Sequence, residues 1–127
     1  MSAKLTLLLL EDEPLILMDL ELAAEDCGCD ALPASNAKAA LDLLEEHGDA
    51  IDAAILDVSL GAGQTCFPVA HQLQRMGIPY ILHSGDLDRH NERIRTLQAE
   101  RIAKPAPVEI VIATALEQIA PGERAST

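Results

Sequence analysis

Short apolar runs alternate with amphipathic stretches along most of this 127-residue chain. Between the runs, apolar residues recur at the three- and four-residue spacing of a helix that buries one face. Five strands that alternate with helices predict a parallel sheet covered by helices on both sides. The strands are predicted over residues 5–10, 51–56 and 78–83, with weaker candidates over residues 30–34 and 101–103.

At this length, we expect the doubly wound α/β fold of the flavodoxin-like type, with five parallel strands in the order 2-1-3-4-5 and five helices. One domain over residues 1–127 is expected, with its core at about 4–120 and a polar tail at 121–127. The fourth helix, predicted over residues 88–98, has few apolar residues, so we expect it to be exposed and weakly held.

Residues that suit helix ends support these boundaries. Pro14 and Pro107 stand where a proline in the first turn of a helix loses no hydrogen bond. Ser35 and Thr65 are the predicted N-caps of the second and third helices.

Charge and composition exclude several classes of function. The net charge is −12, and a phosphate backbone would repel so acidic a surface, so nucleic-acid binding is not expected. The apolar run that ends before Glu11 is too short to span a membrane, and the acids after it are unlike a signal peptide. We therefore expect a cytoplasmic protein without a membrane partner.

The three cysteines do not match the spacing of a disulfide framework or of a zinc knuckle. We interpret Cys27, Cys29 and Cys66 as reduced thiols. Cys66 lies at a predicted helix start and is therefore the cysteine to check for a low pKa.

Reactive side chains follow four of the five predicted strands. In strand order they are Glu11 and Asp12, then Asp57, Ser84 and Lys104. Because the carboxyl ends of neighbouring parallel strands share one rim of the sheet, where open α/β sheets bind ligands, we expect these side chains to converge.

The chemistry of this set suits phosphoryl transfer. Clustered carboxylates favour a hard cation such as Mg²⁺, and an aspartate can take up a phosphoryl group covalently. Mg²⁺, the Lys104 ammonium and the Ser84 hydroxyl would then each stabilise one phosphoryl oxygen around Asp57. The alternative is purely structural, with the acids favouring the positive end of the first helix and Lys104 as a surface charge.

Four stretches of the sequence resemble the receiver domain of two-component response regulators, over about residues 4–120. The family pattern is an acidic pair, an aspartate, a Ser or Thr, and Lys-Pro, after strands 1, 3, 4 and 5. The matching stretches are LLLLEDEPLI (7–16), AAILDVSL (53–60), IPYILHSG (78–85) and IAKP (102–105). The resemblance implies a stand-alone response regulator that catalyses only its own phosphorylation and dephosphorylation.

The resemblance implies a role for each residue of the metal site. Asp57 would be the phosphoacceptor and, with Asp12 and the backbone carbonyl of Ser59, a ligand of Mg²⁺. Glu11 would act through water or help to position the ion.

The resemblance also assigns roles beside the phosphoryl group. Lys104 would contact this group, Ser84 would move toward it after transfer, and the bond between Lys104 and Pro105 would be cis.

Three features depart from the family pattern. The loop after Asp57 has Gly61 and Thr65 where the family often has proline and glycine. Arg101 replaces the aromatic residue usual three positions before the lysine, and Asp86 follows the serine by two, where side chains influence access of hydrolytic water.

A histidine kinase or a phosphotransfer protein is the implied phosphoryl donor, and the fourth helix, fifth strand and fifth helix form the implied signalling face. Basic residues concentrate there, and a solvated helix with local ion pairs is the alternative interpretation. We hypothesise that they meet an acidic surface, on an unknown partner or on a second copy in a homodimer. They are Arg89, Arg93, Arg95, Arg101 and Lys104.

Three rival functions stay open. A phosphorelay shuttle or phosphate sink would use the same site, and a pseudo-receiver would carry no phosphate. A phosphatase of the haloacid dehalogenase type needs a second aspartate two residues after the nucleophile, where this chain has Ser59. Because His83 precedes Ser84 in a strand, we expect its side chain to point away from the site.

Overall fold

The computed structural model describes residues 4–85 and 91–119, in which strands and helices alternate as the sequence predicts. The strands are β1 (Thr6–Leu10), β2 (Asp30–Ala34), β3 (Ala53–Leu56), β4 (Tyr80–Ser84) and β5 (Glu100–Ala103). The helices are α1 (Pro14–Asp26), α2 (Ala37–His47), α3 (Phe67–Met76), α4 (Asn91–Leu97) and α5 (Val108–Glu117), with a short 3-10 turn at Gly48–Ala50.

The strands form one parallel sheet in the order β2-β1-β3-β4-β5, which confirms the predicted fold class. β1, β3 and β4 each pair with a strand on both sides. Helices cover both faces of such a sheet, and this explains why β1 and β3 are nearly continuous apolar runs rather than alternating ones.

The leucine run of β1 contributes to both layers of the core. Leu8 and Leu10 belong to the cluster that also contains buried residues of α2, α3 and α4. Leu7 and Leu9 point to the opposite face and belong to the cluster with α1 and α5. Successive strand residues face opposite sides of the sheet, so a single run of apolar residues secures two helical layers.

Two predicted helix caps are wrong by one residue. The N-cap of α2 is Asn36 rather than Ser35, because the Asn36 Oδ1 accepts a hydrogen bond from the Ala39 N–H at 2.8 Å. The N-cap of α3 is Cys66 rather than Thr65, although the Thr65 Oγ1 still accepts a long hydrogen bond of 3.5 Å from the next helical N–H.

Within the described residues, α4 lies inside the predicted helix, and its apolar residues anchor it rather than leaving it weakly held. Ile94 and Leu97 are both buried, and the Arg93 guanidinium carbon lies 3.9 Å from the centroid of the Phe67 ring. The predicted helix residues 88–90 and the predicted tail at 121–127 lie outside the described residues. Within the described ranges, no helix combines the length and the apolar character that crossing a bilayer requires.

His83 is a polar residue in the core. It is 3% exposed, it pairs with Ile102 in the sheet, and neither of its ring nitrogens has a hydrogen-bond partner among residues 4–85 and 91–119. Burial, assisted by the positive charge of Lys104, lowers the pKa of His83 to about 4, so the ring is neutral at pH 7. A buried polar group without a partner costs stability.

We expect His83→Leu to raise the free energy of unfolding by about 1 kcal/mol at pH 7.5, because two unpaired polar atoms leave the core. The gain should be larger at pH 5. Between pH 6.5 and 4 the unfolded histidine takes up a proton that the folded one does not, so wild type loses stability as the pH falls through that window. Urea unfolding at both pH values measures this difference, and a loss of stability in the variant at both would contradict it.

Candidate functional site

A cavity of about 690 Å³ opens at the carboxyl ends of the strands. It is bordered by residues that follow β1, β3 and β5, by the last residue of β4, and by the loop over residues 61–65. The polar side chains at its wall include Asp12, Glu13, Asp57, Ser59, Ser84 and Lys104. The structure thus brings most of the predicted site residues to one rim. Glu11 is not part of the cavity wall, but its carboxylate contacts the Lys104 ammonium.

Backbone pairing beyond the strand ends fixes the positions of the acids. The Glu11 N–H donates to the Ala34 carbonyl at 3.0 Å, and the Asp57 N–H donates to the Leu10 carbonyl at 2.9 Å. The ladder therefore continues one residue past β1 and β3, so that these carboxylates are carried by the sheet itself. Sites carried by sheet backbone hold their geometry better than sites on loops.

Three carboxylates form a tight cluster. One oxygen from each of Glu11, Asp12 and Asp57 lies within 4.8 Å of the others. Glu11 is 1% exposed and Asp57 is 4% exposed, so water screens their repulsion poorly. A donor set of oxygens alone is the kind that Mg²⁺ prefers, so the residues present fit this ion.

The Lys104 ammonium balances part of this negative charge. Its Nζ lies 2.8 Å from the Glu11 Oε1, 3.3 Å from the Glu13 Oε2 and 3.4 Å from the Asp57 Oδ2. The 2.8 Å contact between Lys104 and Glu11 is an ion pair whose angles do not suit a hydrogen bond. The peptide bond between Lys104 and Pro105 is cis, as the resemblance implies.

Burial and charge shift the pKa values of the central pair. Burial, and then the hydrogen bond and the charge of Glu11, raise the pKa of Asp57 to about 8, although the Lys104 charge acts to lower it. Burial by itself would lower the pKa of Lys104, but its contacts with Glu11, Asp57 and Glu13 raise it above its usual value. One ammonium therefore does not compensate all the negative charge at the rim.

The loop after Asp57 forms a closed turn beside the cavity. Ser59 pairs with Thr65 in an antiparallel bridge, and the Leu60 N–H donates to the Gln64 carbonyl at 2.9 Å. Left-handed backbone at Gly61, where φ is 80°, suits a residue without a side chain. The turn places Ser59 at the cavity wall, where its predicted role as a backbone ligand requires it.

Ser84 and His83 are neighbours in β4, and only Ser84 faces the cavity. Ser84 is 1% exposed, ends β4 and lines the cavity. His83, one residue earlier, does not line the cavity, in agreement with the direction expected for it. The Ser84 carbonyl also accepts a hydrogen bond from the Lys104 N–H at 3.2 Å, so β4 and the residue after β5 are tied together.

At the site, the structure contradicts the low pKa considered for Cys66, and it does not describe two of the residues that the sequence singled out. The Cys66 thiol is fully buried, and burial together with the nearby Asp57 charge raises its pKa to about 12 rather than lowering it. Asp86 and Arg89, which the sequence singled out, lie outside the described residues. Glu13 has no role in the sequence prediction, and its place directly after the acidic pair is the one signal in the sequence of its contact with Lys104.

Comparisons with known proteins agree with this geometry. No family model and no curated protein matches the chain. Among solved structures, SdrG from Sphingomonas melonis Fr1 is 36% identical, covers 94% of this chain and 98% of its own, and has a TM-score of 0.75. A response regulator receiver domain protein from Clostridium thermocellum is 20% identical, with 94% and 97% covered and a TM-score of 0.79.

A response regulator receiver protein from Sinorhizobium medicae WSM419 is 22% identical, with 91% and 94% covered and a TM-score of 0.80. The doubly wound fold is thus shared with proteins described as response regulator receivers. The chain belongs to the family of response-regulator receiver domains.

We expect Asp57→Asn to stabilise the protein in magnesium-free buffer. A carboxyl whose pKa is raised in the folded state loses its proton more readily when unfolded, so wild type loses stability as the pH rises from about 4 to about 8. The variant should therefore exceed wild type by about 1 kcal/mol or more at pH 8, and by much less at pH 4.5.

Thermal or urea unfolding at the two pH values measures this effect. Asp19→Asn, an exposed change on α1 with the same loss of charge, is the matched control and should show no such pH dependence. An advantage of Asp57→Asn that is equal at both pH values would show that its origin is not the raised pKa.

Proposed function

We propose that this receiver domain takes a phosphoryl group on Asp57 from a histidine kinase or a phosphotransfer protein, with Mg²⁺, and thereby changes its protein partners. The observation that carries the proposal is the placement of the buried Asp57. It lies in a carboxylate cluster, within 3.4 Å of the Lys104 ammonium, at the wall of an open cavity. A phosphoryl acceptor needs this combination of a nucleophilic carboxylate and nearby positive charge.

Residues of the cluster would hold the metal. The Asp12 and Asp57 carboxylates and the Ser59 backbone carbonyl would be protein ligands, and Glu11 would act through water or help to position the ion. When bound, Mg²⁺ supplies positive charge for the carboxylates and for the phosphoryl oxygens. The raised pKa of Asp57, caused by burial and then by the neighbouring Glu11 carboxylate, supports this, because a bound cation would stabilise the charged form that this site disfavours.

The chain's own side chains would carry out the transfer. An Asp57 carboxylate oxygen attacks phosphorus, the bond from phosphorus to the donor's histidine nitrogen breaks, and that nitrogen keeps the electron pair. The Lys104 ammonium neutralises one phosphoryl oxygen, and the Ser84 hydroxyl donates a hydrogen bond to another. Attack of water on the product returns the Asp57 carboxylate and releases inorganic phosphate.

Acetyl phosphate with Mg²⁺ tests the acceptor directly. We expect wild type to gain one labile phosphoryl group by intact mass, Asp57→Asn to gain none, and Lys104→Met to gain it at least about 10-fold more slowly, because a charge contact at the phosphoryl group is lost. An adduct that persists in Asp57→Asn would overturn the assignment of the acceptor. No adduct in folded wild type would favour a pseudo-receiver.

The surface of α4, β5 and α5 is proposed as the signalling face. Arg95 and Arg101 are exposed there and suit an acidic partner surface, on another protein or on a second copy. Arg93 is the poorer probe of this contact, because its guanidinium packs on the Phe67 ring.

We expect Arg95→Glu with Arg101→Glu to leave phosphorylation by acetyl phosphate unchanged and to abolish any self-association that beryllofluoride induces. Light scattering of the wild type and of the double variant, each with and without beryllofluoride, measures this. Self-association that survives charge reversal would move the interface elsewhere.

A phosphorelay shuttle or phosphate sink is the second candidate, and Arg101 favours it. This residue is exposed on β5 where the family usually has an aromatic side chain, so the usual coupling of Ser84 to a buried aromatic ring cannot operate here. Rapid loss of phosphate from Asp57, together with back-transfer to a phosphohistidine donor, would support this function over a long-lived switch.

A further inference from the structure

The Glu13 carboxylate stands at the mouth of the cavity without a structural task of its own. Its side chain is 59% exposed and its Oε2 lies 3.3 Å from the Lys104 Nζ. Glu13 is the N-cap residue of α1, yet its side chain makes no capping hydrogen bond. The carboxylate is therefore directed to Lys104 rather than to the helix.

Lys104 does not need Glu13 to hold its orientation. Its Nζ contacts the buried Glu11 at 2.8 Å, and its backbone N–H is bonded to the Ser84 carbonyl. An ion pair to a mostly exposed partner adds little stability, because water screens it. Glu13 does add one more negative charge beside the Lys104 ammonium, which is the group that would contact a phosphoryl oxygen.

We propose that Glu13 is a positioning residue that restrains phosphoryl uptake by competing for the Lys104 ammonium and by repelling the anionic donor at the cavity mouth. The proposal rests on Asp57 being the phosphoryl acceptor. To contact a phosphoryl oxygen, the Lys104 ammonium must loosen its contacts with carboxylates, and Glu13 is the most exposed of the three. Because Glu13 is exposed, salt should weaken its effect.

Glu13→Gln removes the charge and keeps the shape of the side chain. We expect acetyl phosphate to phosphorylate this variant about 3- to 10-fold faster than wild type at low ionic strength, with Mg²⁺ saturating for each protein. The ratio should fall below about 2 at roughly 0.5 M salt. Glu13→Asp, which restores the carboxylate, should return the rate toward that of wild type.

Two further measurements separate this role from a general effect of charge or of folding. Glu25→Gln removes the same charge from an exposed position near the other end of α1 and should leave the rate unchanged. Beryllofluoride should bind Glu13→Gln more tightly than wild type by a similar factor, as ¹⁹F NMR can measure without any turnover. Titration with Mg²⁺ alone establishes saturation for each variant.

The outcomes distinguish this inference from the proposed function. If wild type gains no Asp57-dependent adduct, the acceptor role itself fails. If wild type is phosphorylated but Glu13→Gln reacts no faster, or if its advantage does not change with salt, the restraint by Glu13 is overturned while the acceptor role stands.

Discussion

The structure depends on how a buried cluster of like charges is held together at the edge of the sheet. Glu11, Asp12 and Asp57 offer oxygens within 4.8 Å of one another, and the Lys104 ammonium contacts two of these three side chains. Burial of Asp57, and then its closeness to the Glu11 carboxylate, disfavour the charged form of Asp57 and raise its pKa. A divalent cation, such as the proposed Mg²⁺, would offset this negative charge.

The fold makes such a cluster possible because backbone hydrogen bonds of the sheet hold Glu11 and Asp57 in place. β1 and β3 are buried on both faces, and their pairing continues to Glu11 and Asp57 through backbone hydrogen bonds. The two core layers fix the strands, and the strands fix the acids. A loop could relax to separate like charges, whereas residues that extend a packed sheet cannot do so without breaking the ladder.

Much of this arrangement could be predicted from the sequence, because its signals are local. The leucine run of β1 and the acids directly after it lie within ten residues, and the order of the strands follows from the rules for parallel sheets. The set formed by Asp57, Ser84 and Lys104 could be predicted for the same reason, since each residue ends or follows a strand.

The remaining features depend on side-chain packing between distant residues, which no local pattern encodes. Lys104 contacts Glu13, although the two residues are 91 positions apart in the sequence. The raised pKa of Cys66 reflects burial, which outweighs its position at a helix start. The cap at Asn36, by contrast, is a local feature, and its position was wrong by one residue because Ser35 and Asn36 both suit an N-cap.

The pKa of the Asp57 carboxyl group is the measurement that tests the central claim most directly. ¹³C NMR of this side chain, titrated with and without Mg²⁺, would follow it in the intact protein. The account expects a midpoint near 8 in magnesium-free buffer and a clear shift to lower pH when Mg²⁺ is added. A midpoint near that of an ordinary aspartate, unmoved by Mg²⁺, would contradict it.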